Sequence, residues 1–294
     1  MNTTMVPLDS AWIAANPVPV HGRGTTKNSR GRVLVIGGSR LVPGALRLTG
    51  EAALRLGAGK LQLATVASAA PLLGMLVPEA ATLSLPEDQT GEIGLGFEQI
   101  LVEALRAFDS VVIGPGMVRS EISGTILSTI LQELGEEQHL VIDAAAISAM
   151  RHLRAYVTPH SQRIIMTPHH GEMAALTGLS ESEVESDAQQ IAVQVSSDYG
   201  VTVVLKGSDT VVASATEKPL HYAGGGPGLA TAGSGDVLAG AIGGLLARGA
   251  RPFLASGWGV WLHGQSGRRV ATINGPIGFL ARDISSEFPR LLPQ

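Results

Sequence analysis

The stretch from Gly224 to Gly249, GGGPGLATAGSGDVLAGAIGGLLARG, decides how the rest of the chain is read. Three consecutive glycines and Pro227-Gly228 rule out a regular element at its start, and after Asp236 the residues are small or aliphatic as far as Ala247. This is a glycine loop opening a buried helix. The first turn of a helix leaves backbone N–H groups unpaired, and together with the helix dipole they attract anions such as phosphate. Glycines ahead of that turn let the backbone approach a ligand and take positive φ without steric cost. Asp236 repels a phosphate held there unless it acts on something, and a base facing a substrate hydroxyl is such a role. A plainer reading has Ser234 capping the helix and Asp236 complementing its dipole. The spacing alone leaves both readings open.

Upstream of this stretch, short β-branched runs alternate with helical patterns. Val33 to Ile36 reads as a strand running into Gly37-Gly38-Ser39, and Pro43-Gly44 opens an Ala/Leu-rich helix to about Leu56. Further strands are expected at 60–65, 80–85, 110–113, 140–142, 163–166 and 201–205, with helices at 97–107 and 122–134. Residues 210–213 should run antiparallel to the strand before them, because Gly-Ser-Asp between the two is turn chemistry. Helices are expected over most of 234–287. Repeated strand and helix imply a mostly parallel sheet covered on both faces. Gly37-Gly38-Ser39, Gly114-Pro115-Gly116, Asp143, Pro168-His169 and Lys206-Gly207 all follow strands, so they should line one edge of the sheet beside the glycine loop. The first strand lacks a GxGxxG fingerprint, so no nicotinamide-type Rossmann site is inferred from it. Residues 1–30 read as an irregular arm and 31–294 as a single catalytic domain.

Composition narrows the function classes. Hydrophobic residues make up 45% of the 294 and charged residues 16%, enough apolar material for a large core. A net charge of −4 without any basic cluster argues against a nucleic-acid surface, and an acidic chain that binds phosphate must rely on local donors and a metal. The absence of cysteine excludes thiol catalysis and Cys-ligated metal. The N-terminus carries an acidic residue and prolines where a signal peptide needs basic residues and an apolar core, and the apolar run 237–247 is shorter than the roughly 20 residues of a membrane helix. A soluble cytoplasmic protein is the expectation, with no membrane or nucleic-acid partner.

Taken together, the strand-end segments resemble the ribokinase-like superfamily and, within it, the ADP-dependent NAD(P)H-hydrate dehydratases. The resemblance rests on Val35-Ile36-Gly37-Gly38-Ser39 with Pro43-Gly44-Ala45, Ile113-Gly114-Pro115-Gly116, Val141-Ile142-Asp143-Ala144, Thr167-Pro168-His169-His170-Gly171-Glu172, Leu205-Lys206-Gly207, and Gly233-Ser234-Gly235-Asp236. It spans about residues 31 to 270 and implies a ribokinase-like three-layer α/β sandwich. It further implies an enzyme that restores NADH and NADPH from the S form of their hydrates, converting ADP to AMP and phosphate. By the resemblance Asp236 is the catalytic base and contacts the substrate with Ala45, Gly116 and His169. Lys206, Gly207, Ser208, Asp209, Thr210 and Gly235 match nucleotide contacts, and the backbone of Ala232, Gly233, Ser234 and Gly235 forms an anion hole. ADP is then a co-substrate and Mg²⁺ is expected with its phosphates, with no metal ligands identified. A homo-oligomer, a homotetramer by the resemblance, is implied, as is a separate NAD(P)H-hydrate epimerase as functional partner.

Plainer readings stand beside several of these residues. His169 alone suits a satisfied strand-end side chain, Lys206 a solvated turn, Glu172 a helix cap, and Trp258 with Trp261 a core or subunit contact. His170 is given no role and that of Asp143 stays open. Gly226, Val118 and Ala145 depart from the family pattern, which usually has Asn, Gly and an acidic or glycine residue there. A small-molecule kinase of the same fold, phosphorylating a vitamin precursor alcohol with ATP, shares the glycine loop and Asp236. A nucleotide-binding module without catalysis is a third reading, and Asp236 argues against it.

Overall fold

The computed structural model describes residues 4–293. In the N-terminal half the elements are β1 (Val6–Pro7), α1 (Ser10–Ala15), β2 (Arg32–Ile36), α2 (Gly44–Arg55), β3 (Lys60–Val66), α3 (Ala70–Leu76), β4 (Ala80–Leu85), α4 (Glu98–Leu105), β5 (Ser110–Ile113), α5 (Glu121–Glu133), β6 (His139–Ile142) and α6 (Ala145–Ala149). They are followed by α7 (Arg154–Val157), β7 (Ile164–Met166), α8 (His170–Thr177), α9 (Glu181–Ser186), α10 (Ala188–Tyr199), β8 (Thr202–Leu205), β9 (Asp209–Ala213), β10 (Leu220–Ala223), α11 (Ser234–Ala247), α12 (Pro252–Asn274), α13 (Ala281–Ser285) and α14 (Phe288–Leu291).

The strands form one ten-stranded sheet in the order β1-β10-β9-β8-β7-β6-β5-β2-β3-β4. From β4 to β8 every pair is parallel, and β9 turns back antiparallel on both neighbours. The central strands are apolar throughout because both faces are covered. Along β2, Val33 and Val35 join a core shared with α2, α11 and α12, whereas Leu34 and Ile36 join one shared with α4 and α5. The alternation of side chains along a strand thus feeds two cores, one on each face, and yields three layers.

From β2 the chain steps outward through β3 and β4, then returns to β5 and steps outward the other way to β8. The order therefore reverses between β2 and β5, whose following helices α2 and α5 pack on opposite faces of the sheet. A crevice at such a reversal is where open α/β sheets bind ligands.

The glycines of α11 account for its position. A Cβ at Gly240 would lie 2.0 Å from the Thr49 carbonyl oxygen, and one at Gly244 2.7 Å from that of Ala53. Only residues without a side chain let α11 lie this close to α2. The resulting contact carries Asp236 to the end of the sheet where the strands finish.

The N-terminal arm differs from the expectation of an irregular segment. Val6–Pro7 pairs with β10, Asp9 caps α1 by accepting from the amides of Ala11 and Trp12, and Leu8, Ile13 and Val18 are buried. Trp258 Nε1 donates to the Asn16 carbonyl at 2.6 Å. The arm is tied down by tertiary contacts, and a two-residue strand containing proline carries no periodicity to predict it from. Trp258 meets Trp261 edge-on at 5.8 Å, in keeping with the core reading. Among the described residues no helix is long and apolar enough to cross a membrane.

Candidate active site

The strand-end residues converge as their order implies. Gly38 N donates to the Pro115 carbonyl at 2.7 Å, and a Cβ at Gly116 would lie 2.9 Å from that of Ala45 and 3.0 Å from Gly38 Cα. Gly116 takes φ +69, a conformation costly for any residue with a side chain. These contacts draw the loops after β2 and β5 against the start of α2. Ala45 is buried there, so it offers a close wall and no functional group.

One strand further along, Asp143 is buried at the end of β6 and accepts from Thr167 Oγ1 at 2.7 Å and from Lys206 Nζ at 2.8 Å. Its role, open from sequence, is to hold this lysine. Ala144, immediately after it, takes φ +51 and ψ −130, an uncommon conformation for a non-glycine residue, and turns the chain into α6. Lys206 N donates to the Pro168 carbonyl at 2.7 Å, which fixes the β7 and β8 ends to each other.

His169 caps α8. Its Nδ1 accepts from the amides of Gly171 (3.0 Å) and Glu172 (3.3 Å), so the neutral ring carries its proton on Nε2. Glu172 Oε2 accepts from the His169 amide at 2.8 Å, which confirms the capping role expected of Glu172. The same carboxylate lies 3.9 Å from Lys206 Nζ, a contact that the capping reading did not foresee. Burial raises the Glu172 pKa above the usual carboxylate range, Lys206 opposes this, and Asp143 adds to it. At Lys206 burial alone would lower the pKa, but Asp143 and Glu172 outweigh it and the net shift is upward. The ammonium is thus held charged and only 19% exposed at the start of α11, where a Cβ on Gly235 would lie 3.3 Å from Nζ.

Asp236, in the first turn of α11, faces this group of charges. Its pKa is pushed up to about 7, first by burial and then by Asp143, with Lys206 opposing and Glu172 adding. A carboxylate poised near neutral pH is suited to taking a proton from a hydroxyl.

The helix start is not capped as the plainer reading supposed. Gly233, at φ +87, occupies the N-cap and no side chain caps the helix. Ser234 Oγ instead lies 3.0 Å from His263 Nε2, which is also 3.0 Å from the Ser234 carbonyl. A carbonyl only accepts, so Nε2 carries the proton. Burial lowers the His263 pKa to about 4 and keeps the ring neutral. Nothing in the sequence reading singled out His263. Its only signal there is a histidine among small and apolar residues of a long helix. The Ser234 amide donates to the Thr231 carbonyl at 3.2 Å and is already paired, so the anion-hole expectation narrows to Ala232, Gly233 and Gly235.

Two clefts meet at His169. The larger, of 920 Å³, takes in Lys206, Gly207, Ser208, Thr210 and Gly235, with Leu229, Val260 and His263 deeper in. The smaller, of 540 Å³, lies between Met117, Ala144, Ala145 and Glu172. Asp209 does not line the larger cleft. It begins β9, pairs with His221 at 3.2 Å and is 58% exposed, because successive strand residues point to opposite faces. His170 is nearer than its bystander reading suggests, since a Cβ on Gly207 would lie 3.0 Å from its Nε2.

A glycine-rich helix start and a fixed cation line the larger cleft, a carboxylate poised near neutral pH lies beside that cation, and a second, smaller cleft adjoins at His169. A family model described as NAD(P)H-hydrate dehydratase matches residues 33–290. The chain belongs to the NAD(P)H-hydrate dehydratase family. It is 43% identical to the ADP-dependent (S)-NAD(P)H-hydrate dehydratase of Xanthomonas campestris pv. campestris, covering 96% of this chain and 94% of that one. Among solved structures it is similar to the ADP/ATP-dependent NAD(P)H-hydrate dehydratase of Bacillus subtilis co-crystallised with ATP and Mg²⁺, with a TM-score of 0.81, 26% identity, and 99% and 98% of the two chains covered. A ribokinase-like superfamily protein from Enterococcus faecalis V583 matches with a TM-score of 0.80 and 28% identity over 93% of this chain and 90% of that one. The chain spans about half the length of the bifunctional NAD(P)H-hydrate repair enzymes that it also matches. The fold of this dehydratase-family chain is ribokinase-like, as its strand-end motifs implied.

Proposed function

We propose that the chain catalyses ADP-dependent dehydration of the S form of hydrated NADH and NADPH, regenerating the dinucleotide with AMP and phosphate. The observation that carries this reading is Asp236 in the first turn of α11, a buried carboxylate whose pKa is pushed up to about 7 and which faces the charges of Asp143, Lys206 and Glu172, with Lys206 lining the larger cleft and Glu172 the smaller. Family membership supplies the substrates and the geometry supplies the roles.

The hydrate bears a hydroxyl at C6 of the nicotinamide ring, next to the ring nitrogen, and hydroxide is a poor leaving group. Asp236 takes the hydroxyl proton while the oxygen bonds to the β-phosphorus of ADP and the bond to the α-phosphate oxygen breaks, releasing AMP. The nitrogen lone pair then expels phosphate from C6, and loss of a proton from C5 restores the dihydronicotinamide. The amides of Ala232, Gly233 and Gly235 face the charge that develops on the transferred group. Lys206 and Gly207, Ser208 and Thr210 hold the nucleotide in the larger cleft. Gly116, Ala45 and His169 bound the space for the ring, with His169 Nε2–H as a donor.

Among the described residues no three His, Asp or Glu side chains gather as a metal cage. Mg²⁺ would come with the nucleotide phosphates and water, and Asp143 and Glu172, the carboxylates beside Lys206, would be the residues that reach its water shell. When bound, Mg²⁺ neutralises phosphate charge. In this reading the enzyme works in the cytoplasm as a homo-oligomer, alongside a separate NAD(P)H-hydrate epimerase.

The test is absorbance at the dihydronicotinamide band while the purified chain acts on hydrate with Mg²⁺ and ADP, ATP or no nucleotide. Recovery that depends on ADP and forms AMP is expected. A stable phosphorylated alcohol without recovery would instead identify the kinase of the same fold.

A further inference from the structure

Beyond the reacting centre, a third cleft of 630 Å³ opens between α5 and the segment running from α6 to α7. Arg119 and Ser148 line both this cleft and the smaller one that reaches His169 and Glu172, whereas Arg151 and His152 line only the outer one. The two spaces therefore adjoin along Arg119 and Ser148 and lead away from His169 and Glu172. Gly124 keeps its floor low, since a Cβ there would already lie 3.6 Å from that of Ala149.

Among the described residues neither Arg119 nor Arg151 forms an ion pair, and unlike the other arginines without one, these two line the same cleft. The one carboxylate in the outer lining is Glu121, which sits in the first turn of α5, where the helix dipole favours it. In a chain of net charge −4, two guanidinium groups left without carboxylates along one path are a site for phosphate esters, which arginine engages through paired N–H donors.

We propose that this outer cleft binds the adenosine half of the dinucleotide substrate, with Arg119 on the pyrophosphate and Arg151, flanked by His152, on the 2′-phosphate that distinguishes the NADPH form. This rests on the dehydratase reading above. The order follows the path: with the nicotinamide ring at the His169 end, the pyrophosphate comes next at the arginine shared by both clefts, and the adenosine ribose comes last.

Equilibrium binding of NADPH and NADH, followed by their own fluorescence, and KM values for the two hydrates with ADP decide it. In the full chain Arg151→Gln should weaken NADPH about tenfold and NADH less than twofold, whereas Arg119→Gln should weaken both about tenfold. Arg151→Lys should recover part of the NADPH affinity. An Arg151→Gln chain that binds the two dinucleotides in the same ratio as the native one overturns the proposal. So does a rise in the KM for ADP, which would assign the cleft to the other nucleotide. Native chain that shows this binding pattern yet restores neither hydrate would sink the dehydratase reading while leaving the cleft assigned.

Discussion

In the proposed reaction Asp236 is the residue on which both chemistry and stability turn. As a base it must be ionised, so kcat should rise through pH 7 and fall about tenfold per unit below pH 6. A kcat flat from pH 6 to 8 would remove Asp236 from that role. Asp236→Asn should lower AMP-forming turnover by roughly 10²- to 10⁴-fold, measured by product AMP. The effect on folding has the opposite sign. The folded state holds a proton that the unfolded chain releases near pH 3.8, so stability falls as pH rises from there through about 7. At pH 8 the asparagine variant should therefore be more stable to unfolding than the native chain, by on the order of 1–3 kcal/mol in denaturant titrations. His263 works in the other pH window. Its folded pKa of about 4 lies below the ordinary 6.5, so the unfolded chain binds the proton more readily and stability is lost as pH falls from 6.5 to 4. His263→Gln should flatten that acid limb in thermal melts. The sequence marked Asp236, Lys206 and His169, because their motifs place them after strands and at a helix start. It could not mark His263 as the support of Ser234, since 29 residues separate them and only the crossing of α11 and α12 brings them together.

At the level of elements, α11 and α2 depend on glycine at their crossing. Gly240→Val would force a side chain into the Thr49 backbone and should lower the urea midpoint by an amount equivalent to about 2 kcal/mol or more, with loss of ADP binding because the loop ahead of α11 moves with the helix. A neutral outcome would mean that the helices do not pack as described. The strands β2, β5, β6 and β8 were legible because each is a short aliphatic, β-branched run followed directly by Gly, Asp or Lys. The antiparallel return of β9 was legible from Gly207-Ser208-Asp209. The β10 strand was not, because four residues, Leu220–Ala223, with two apolar positions facing the core and an exposed end carry too little alternation. The same turn that announced β9 gave no sign that Asp209 would leave the cleft, for which face a strand residue takes depends on the register of the finished sheet.

For the whole molecule, residues 4–16 act at a distance from the site. They add β1 beside β10, place Trp12 against Gly257 and accept the Trp258 indole N–H. Deletion of residues 1–16 should expose Trp258 and lower the melting temperature by several degrees, read by tryptophan fluorescence; unchanged melting would show that the arm contributes nothing. The clefts open at the carboxyl ends of β5 to β8 beside the start of α11, and the local runs of the sequence already contained their components: strand ends rich in glycine, a glycine loop and a carboxylate at a helix start. Local propensity and motif order therefore determined the layers, the parallel sheet and the edge bearing the site. Tertiary structure alone decided how Lys206 is shared between Asp143 and Glu172, how burial lifts the carboxyl of Asp236, and which arginines remain unpaired along the outer cleft. These depend on charges brought within a few ångströms by segments far apart in the chain, and the energy of a charge is set by its surroundings in space.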